Sequence, residues 1–215
     1  MKLVLFDCDG TLIDSADIIH GCMARTFREA GLNVPELQHT RSIIGLSLDL
    51  AIGRLLDRDV DDEIIHLAEQ YKANFRLMRL EPGFHEPVFD GIVDLLDTLS
   101  RHDEILIGMV TGKSRRGVRA IFDAHGFGPH FLAVRTADDC PSKPHPAMVL
   151  ECCSELGVDP AATIVVGDAI YDMQMAKSAG ARAVGVSWGC ETIERLRSVG
   201  ADDILEHPND LLRLL

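Results

Sequence analysis

The chain has 215 residues, of which 47% are hydrophobic and 26% charged, as in an ordinary globular domain or a domain with one insertion. Its formal net charge is −13 and its Lys and Arg residues form no cluster, which argues against nucleic acid and anionic membranes as partners. No window reaches the apolar length of a membrane span, and Asp7 interrupts the opening apolar run too early for a signal peptide. The 6 cysteines show no CxxC or zinc-binding spacing, so we expect reduced thiols and a cytoplasmic protein.

The first predicted element is a buried strand over Leu3–Phe6, which runs directly into Asp7 and then Asp9. Two carboxylates this close repel each other, and burial raises the cost of ionising them. The segment therefore requires a positive charge to compensate it.

The next segment, residues 15–81, shows helical patterns and no convincing strand, so we interpret it as an inserted helical subdomain. Three amphipathic stripes support this interpretation, at residues 18–30, 48–56 and 64–75. Ser47 is the expected N-cap of the second helix, and Asp61-Asp62-Glu63 suits the start of the third.

The hinges of this insertion are predicted at Asp14-Ser15 and Glu81-Pro82-Gly83. The core domain would then comprise residues 1–14 and 82–215.

Strands and helices alternate after the insertion. Four further strands are predicted, at Ile105–Val110, Phe131–Val134, Thr163–Val166 and Ala183–Val186. Helical spacing of apolar residues predicts helices at Val88–Leu99, near Val118–Phe122, from Pro146 to about Gly157, and around Met173–Ala179 before Gly180. This alternation predicts an α/β fold, a doubly wound parallel sheet with the helical subdomain inserted.

Candidate site residues follow the predicted strands at their carboxyl ends, the edge where open α/β sheets bind ligands. In chain order they are Asp7, Asp9, Thr111, Gly112, Lys143 in the loop after the third strand, Asp168, and Asp172 in the following helix. Carboxylates gathered in this way indicate a hard divalent cation, above all Mg²⁺. That cation would supply the charge that the first strand requires.

Four short motifs in this set resemble those of the haloacid dehalogenase superfamily of phosphohydrolases, and they occur in the same order. They are Asp7-Cys8-Asp9-Gly10-Thr11 (DxDGT), Thr111, Lys143 in Ser142-Lys143-Pro144, and Gly167-Asp168 to Asp172 (GDxxxD). The helical insertion after the first motif resembles the cap of the phosphoglycolate phosphatase and β-phosphoglucomutase branch. The resemblance covers the whole chain and implies an Mg²⁺-dependent phosphatase that acts through an aspartyl-phosphate.

The resemblance also implies catalytic roles. Asp7 would be the nucleophile, and Asp9 would protonate the leaving oxygen and later activate water. Thr111, Gly112 and Lys143 would hold the phosphate group, since phosphoryl transfer depends on positioning and charge neutralisation.

The same resemblance implies a metal-binding set. Mg²⁺ would be held by the Asp7 side chain, the Asp9 backbone carbonyl and Asp168. Asp172 would either contact the metal through water or tie down its loop, and the sequence leaves both possibilities open.

The cap turn Ile44-Gly45-Leu46-Ser47 is similar to a turn that reaches the active site in this branch, which makes Gly45 a candidate substrate contact. The mutases of the branch carry a basic residue just after the turn, where this chain has Leu48. We therefore expect a phosphatase for a small phosphorylated metabolite, with phosphoglycolate as the first candidate. Three cap residues are candidates for binding a substrate carboxylate: Arg41, Lys72 and Arg76.

Several alternatives stay open. A pyrophosphatase, a sugar-phosphate phosphatase or a phosphoglucomutase of the same superfamily is one group, and a phospho-accepting or binding protein without turnover is another. Asp9 argues against dehalogenation, which needs no acid for an oxygen leaving group. Gly112-Lys113-Ser114 looks like the end of a Walker A loop, but Ile107 stands where that motif needs glycine. A monomer and a homodimer are both compatible with the sequence.

Overall fold

A six-stranded parallel sheet forms the centre of the protein in a computed structural model that describes residues 1–215. The strands are β1 (Lys2–Phe6), β2 (Ile105–Val110), β3 (Ala133–Arg135), β4 (Thr163–Gly167), β5 (Arg182–Val186) and β6 (Asp203–Leu205). Their order is β3-β2-β1-β4-β5-β6, so the chain winds outward from β1 in both directions. The predicted doubly wound α/β fold is confirmed.

Strands β1, β4 and β5 are buried on both faces, which explains their continuous apolar runs in the sequence. Val4 and Phe6 point into one apolar cluster, while Leu3 and Leu5 point into the other. The alternation follows from the two-residue period of a strand.

Nine α-helices surround the sheet or form the cap. Those of the cap are α1 (Ala16–Glu29), α2 (Leu37–Arg41), α3 (Leu48–Leu55) and α4 (Asp62–Met78). Those of the core are α5 (Ile92–Leu99), α6 (Arg115–His125), α7 (Ala147–Leu156), α8 (Ile170–Ala179) and α9 (Ile193–Ser198). None of them combines the length and the apolar character needed to cross a bilayer.

The cap helices have an apolar core of their own, in which Phe27, Ile52 and Ile64 are almost fully buried. Ser47 and Asp61 occupy the N-cap positions of α3 and α4, and the Asp61 side chain accepts a hydrogen bond from the Ile64 amide at 3.0 Å. These helices lie within residues 15–81, and the domain bounds themselves stay a prediction.

The structure differs from the predicted elements at two places. Val88 precedes α5 and pairs with Ile13 in an isolated antiparallel bridge. The turn between Val88 and α5 ends at Gly91, whose φ of 83° is in the left-handed region and suits glycine. The third strand begins at Ala133 instead of Phe131, which follows a short 3-10 turn and stacks on Phe122 with ring centroids 5.2 Å apart.

Three short elements escaped the sequence analysis: α2, α9 and β6. Strand β6 spans only Asp203–Leu205 and pairs with β5 at the edge of the sheet. A run of three residues carries too little periodicity to be recognised as a strand.

The register of the central strands places their ends side by side. Phe6 at the end of β1 is level with Met109 in β2 and with Val166 in β4. The Asp7 amide donates a hydrogen bond to the Val166 carbonyl at 2.9 Å, which continues the ladder by one residue. The side chains that follow β1, β2 and β4 therefore meet at one edge of the sheet.

Candidate active site

Asp7 lies at the centre of this edge and is 1% exposed. Its Oδ1 accepts hydrogen bonds from the Cys8 amide at 2.7 Å and is 2.9 Å from the Nζ of Lys143. Its Oδ2 is buried and has no hydrogen-bond partner in the protein. A buried carboxylate oxygen without a donor is costly, so this atom requires a cation or another ligand.

Asp168 follows β4 and is fully buried. Its Oδ1 accepts a hydrogen bond from the Thr11 hydroxyl at 3.0 Å, and its Oδ2 accepts one from the Cys190 amide at 2.9 Å. Two glycines make room for it, because a Cβ at Gly10 or Gly189 would lie 2.2 Å and 2.1 Å from its side-chain atoms. The backbone is shaped around this carboxylate, which is therefore held in one position.

Lys143 and Asp172 form a buried ion pair beside Asp7. The Nζ of Lys143 is 2.6 Å from Asp172 Oδ1, and both side chains are completely buried. Asp172 Oδ2 accepts a hydrogen bond from the Ala169 amide at 3.1 Å, at the start of α8. Asp172 thus ties down both its own loop and the lysine.

The three carboxylates of this set are close enough to share one cation. Oxygen atoms of Asp7, Asp168 and Asp172 lie within 4.8 Å of one another. Three carboxylates and the single ammonium group of Lys143 leave a formal charge of −2 in a buried space. The donor set is all oxygen, the charge matches a dication, and Asp7 Oδ2 lacks a partner, so the residues fit Mg²⁺.

The pKa values reflect this uncompensated charge. Burial raises the pKa of Asp7 to about 8, with added repulsion from Asp172 and Asp168 and partial compensation by Lys143. Burial and the Asp172 charge raise the pKa of Asp168 to about 6. Burial acts against the charge of Lys143, but Asp172 and Asp7 outweigh it and raise its pKa.

The metal-free protein should therefore be stabilised by Asp7→Asn. The pKa of the Asp7 carboxyl group rises from 3.8 to about 8 on folding, so the free energy of unfolding of the protein decreases as pH increases between these values. We expect the melting temperature of Asp7→Asn in EDTA to exceed that of the parent protein by about 3 °C at pH 8.5. The difference should shrink towards pH 4.5, and calorimetry over this range would measure it. The same difference in melting temperature between parent and variant at pH 8.5 and pH 4.5 would contradict the raised pKa of Asp7.

Asp9 makes a separate set of contacts. Its Oδ1 accepts a hydrogen bond from the Ser15 hydroxyl at 2.7 Å. The Nζ of Lys113 lies 2.8 Å from Oδ1 and 3.0 Å from Oδ2. Its side chain therefore does not join the cluster of Asp7, Asp168 and Asp172, and only its backbone carbonyl is left as the predicted metal ligand.

Thr111 and Gly112 face the cleft between core and cap, as do Asp7 and Asp9. Thr111 is buried, and its hydroxyl accepts a hydrogen bond from the Lys113 amide at 3.2 Å. A Cβ at Gly112 would lie 2.5 Å from the Gly45 carbonyl oxygen, so only glycine permits the cap turn to approach this closely.

The cap turn is fixed to the core by several contacts. The Ser47 amide donates to the Ser142 hydroxyl at 2.8 Å, and the Tyr171 hydroxyl donates to the Ser42 carbonyl at 2.9 Å. Gly45 has a φ of +100°, and a Cβ there would lie 3.3 Å from that of Ala169. The cap is therefore closed over the core, with a cleft of about 600 Å³ between them.

Two of the three predicted carboxylate-binding residues line this cleft. Lys72 and Arg76 of α4 face it, whereas Arg41 does not and lies 3.7 Å from Asp17 at the surface. Lys72 is already paired with Glu69 at 2.7 Å. Arg76 is exposed at the cleft and makes no ion pair with a side chain.

Sequence reasoning missed three residues that contact the acids. The sequence analysis assigns Ser15 only to a hinge and Thr11 only to a motif. It names Lys113 only in a segment that lacks a glycine required for a Walker A loop. Lys113 stands two residues after Thr111 in the same strand-end loop, but no local pattern of the sequence places it beside Asp9.

Comparisons with known proteins agree with this architecture. The model of the family "Haloacid dehalogenase-like hydrolase" matches residues 4–186. The "Probable phosphatase IndB" of Dickeya dadantii is 36% identical over 208 residues, which are 95% of this chain and 89% of that protein. A phosphoglycolate phosphatase of Pseudomonas putida is 34% identical, over 87% of this chain and 70% of its own length.

Solved structures show the same fold. The crystal structure of a hydrolase from Pseudomonas syringae superimposes with a TM-score of 0.85 at 26% identity. The match covers 99% of this chain and 97% of that one. The chain belongs to the haloacid dehalogenase-like hydrolase family and is one of its phosphatases, an enzyme that acts on phosphoric monoesters.

Proposed function

We propose that the protein is an Mg²⁺-dependent phosphatase that hydrolyses a small phosphate monoester through a phosphoryl group carried by Asp7. The observation that supports this most strongly is the Asp7 carboxylate, with Oδ1 held by Cys8 and Lys143 and Oδ2 without a donor. One oxygen fixes the orientation of the group, and the other is free to react or to bind a cation.

In the first step, an oxygen of Asp7 attacks phosphorus and the bond between phosphorus and the ester oxygen breaks. Lys143 and Thr111 would hold the phosphoryl oxygens, and Lys143 balances charge on both partners. Mg²⁺ held by Asp7, the Asp9 carbonyl and Asp168 would neutralise charge on the phosphoryl group and shield Asp7 from Asp168.

Asp9 would carry the protons of both steps. Its carboxylic acid form gives a proton to the departing ester oxygen, and the resulting carboxylate takes one from the water that attacks phosphorus. That second step releases inorganic phosphate and regenerates Asp7. Asp9 faces the cleft, which supports this role.

Phosphoglycolate is our first candidate substrate. Its carboxylate would find Arg76, which faces the cleft without a partner, and Leu48 lines the cleft where the mutases carry a basic residue. Relatives named as phosphoglycolate phosphatases support the same substrate.

A second candidate class consists of larger sugar phosphates, and the size of the cleft favours it. A volume of about 600 Å³ is in the range of pockets that hold drug-sized ligands, and glycolate would fill little of it. The exposed apolar side chain of Ile65 and that of Phe75 lie on the cap wall of this space. Two relatives are named as N-acetylmuramic acid 6-phosphate phosphatases.

The proposal is tested by measuring phosphate release from a panel of compounds with Mg²⁺. The panel comprises phosphoglycolate, N-acetylmuramic acid 6-phosphate, glucose 6-phosphate, pyrophosphate and 4-nitrophenyl phosphate. We expect hydrolysis of monoesters. We also expect Leu48→Arg to leave kcat/KM for phosphoglycolate within about 3-fold, because this substrate has no second phosphate for a basic residue at position 48 to bind. Hydrolysis of a bisphosphorylated sugar alone would contradict our interpretation of the cap turn.

We also propose a cytoplasmic location, which the cysteines support. All six thiols are free, and five of them are buried, as is usual in a reducing compartment. We therefore place the enzyme in the cytoplasm.

A further inference from the structure

We propose that Lys113 is a positioning residue, which holds the carboxyl group of Asp9 in place for proton transfer and is itself held by Glu86. The inference rests on the proposed role of Asp9 and adds to it the residues that fix the acid. No motif of the sequence assigns a function to either residue.

The contact between Lys113 and Asp9 is direct and enclosed. The ammonium nitrogen lies 2.8 Å and 3.0 Å from the two carboxyl oxygens of Asp9. The side chains are only 10% and 11% exposed. Ser15 is the one other side chain that binds the Asp9 carboxyl group, at 2.7 Å. Lys113 therefore contributes two of the three hydrogen bonds that orient this group.

A glycine leaves room for the side chain of Lys113. Its stem passes over Gly117 in α6, where a Cβ would lie only 2.8 Å from the Cγ of Lys113. Any larger residue at position 117 would push the stem away. The Lys113 amide also donates to the Thr111 hydroxyl at 3.2 Å, so the loop itself is anchored.

Glu86 also contacts the ammonium group of Lys113. Its Oε1 lies 3.5 Å from Lys113 Nζ, and its Oε2 receives hydrogen bonds from Arg79 at 2.8 Å and 3.1 Å. Glu86 is 7% exposed and belongs to the segment that returns from α4 to the core. The Phe75 ring of α4 lies below both cations, 5.5 Å from Lys113 Nζ and 4.9 Å from the Arg79 guanidinium carbon.

These contacts connect the last helix of the cap to the catalytic acid. Arg79 directly follows α4 as its C-cap, and Glu86 belongs to the return segment. Lys113 lies in the loop after β2, and Asp9 lies in the loop after β1. A correctly placed cap therefore keeps Lys113 in position, and Lys113 keeps the Asp9 carboxyl group aimed into the cleft. Lys113 would act on turnover through Asp9.

A lysine at the wall of the cleft could instead bind the substrate phosphate directly. The two roles differ in their dependence on the ester. A lysine that positions the acid matters most when the leaving oxygen needs a proton, as in an alkyl ester, and little for 4-nitrophenolate, which leaves as an anion. A lysine that binds phosphate matters equally for both esters and still matters when Asp9 is absent.

The test is a double-mutant cycle of Lys113→Met and Asp9→Asn, measured as kcat/KM for the best alkyl ester of the panel and for 4-nitrophenyl phosphate. We expect Lys113→Met to lower kcat/KM about 100-fold for the alkyl ester and less than about 5-fold for 4-nitrophenyl phosphate. In the Asp9→Asn background it should lower neither further. Lys177→Met, which removes an exposed lysine paired with Asp202, is the matched control and should leave both values unchanged.

Glu86→Gln keeps the shape of the side chain and provides a second variant if Lys113→Met unfolds below the assay temperature. It should show the same preference for loss with the alkyl ester, by about 10-fold. Equal losses for both esters, or an undiminished effect of Lys113→Met in Asp9→Asn, would overturn the proposal. If the parent enzyme hydrolyses both esters and Asp7→Asn does not, such a result refutes the role of Lys113 alone. An active Asp7→Asn would instead refute the proposed function.

Discussion

Asp7→Asn is expected to lower kcat/KM for every ester by at least about 10⁴-fold, because an amide oxygen cannot form the phosphorylated intermediate. The substitution preserves the size of the side chain, and the Cys8 amide and Lys143 can still contact the remaining carbonyl oxygen. The fold should therefore survive. Phosphate release by the purified variant, with its melting temperature recorded beside that of the parent, measures the effect.

The control for this substitution is Asp17→Asn, at a side chain that is 83% exposed in α1. It makes the same chemical change at an exposed side chain that does not line the cleft, and it should leave kcat/KM unaltered. An Asp7→Asn variant that kept more than about a tenth of the parent activity would show that Asp7 is not the nucleophile.

Removal of divalent metal is expected to have an effect of similar size. EDTA followed by dialysis should abolish phosphate release, and Mg²⁺ should restore it, since three buried carboxylates and one lysine leave an uncompensated charge of −2. Asp168→Asn should raise the Mg²⁺ concentration for half-maximal activity by at least about 100-fold, because a ligand that two glycines accommodate is lost.

The binding of Mg²⁺ can also be measured without turnover. Mg²⁺ should raise the melting temperature of the parent protein, and the increase should disappear in Asp168→Asn. Full activity of the dialysed protein in EDTA would contradict the proposed cofactor. Unchanged Mg²⁺ dependence in Asp168→Asn would contradict its assignment as a ligand.

The centre of the site could be predicted from the sequence because it depends on short-range rules. Asp7 and Asp168 each follow an apolar run, and parallel strands deliver their carboxyl ends to one edge. Because β1 and β4 are adjacent parallel strands, these two side chains lie close together at the same edge of the sheet. Asp172 follows from helical geometry, one turn into α8.

The surroundings of Asp9 could not be predicted in the same way. Lys113 is 104 residues from Asp9 in the chain, and Glu86 is 27 residues from Lys113. Their meeting depends on how α4 returns to the core, which no local pattern encodes. A lysine after a strand is usually a solvated surface residue, so its type alone carries little information.

The shape of the cleft also depends on the approach of the cap to the core. Gly112 and Gly45 permit contact between two backbones whose positions the sequence leaves undetermined. The same approach places Arg76 at the cleft and leaves Arg41 outside it. Only the three-dimensional structure therefore distinguishes Arg76, which lines the cleft, from Arg41 as a candidate for carboxylate binding.

The most direct test of the central claim is to identify the residue that carries the phosphoryl group. Asp9→Asn should transfer phosphate from 4-nitrophenyl phosphate readily but hydrolyse the intermediate slowly, since the water of the second step has lost its base. Borohydride reduction of the quenched mixture, followed by peptide mass spectrometry, should show homoserine at position 7. An unmodified Asp7 after a full burst of 4-nitrophenolate, or a phosphoryl group on another residue, would contradict the account.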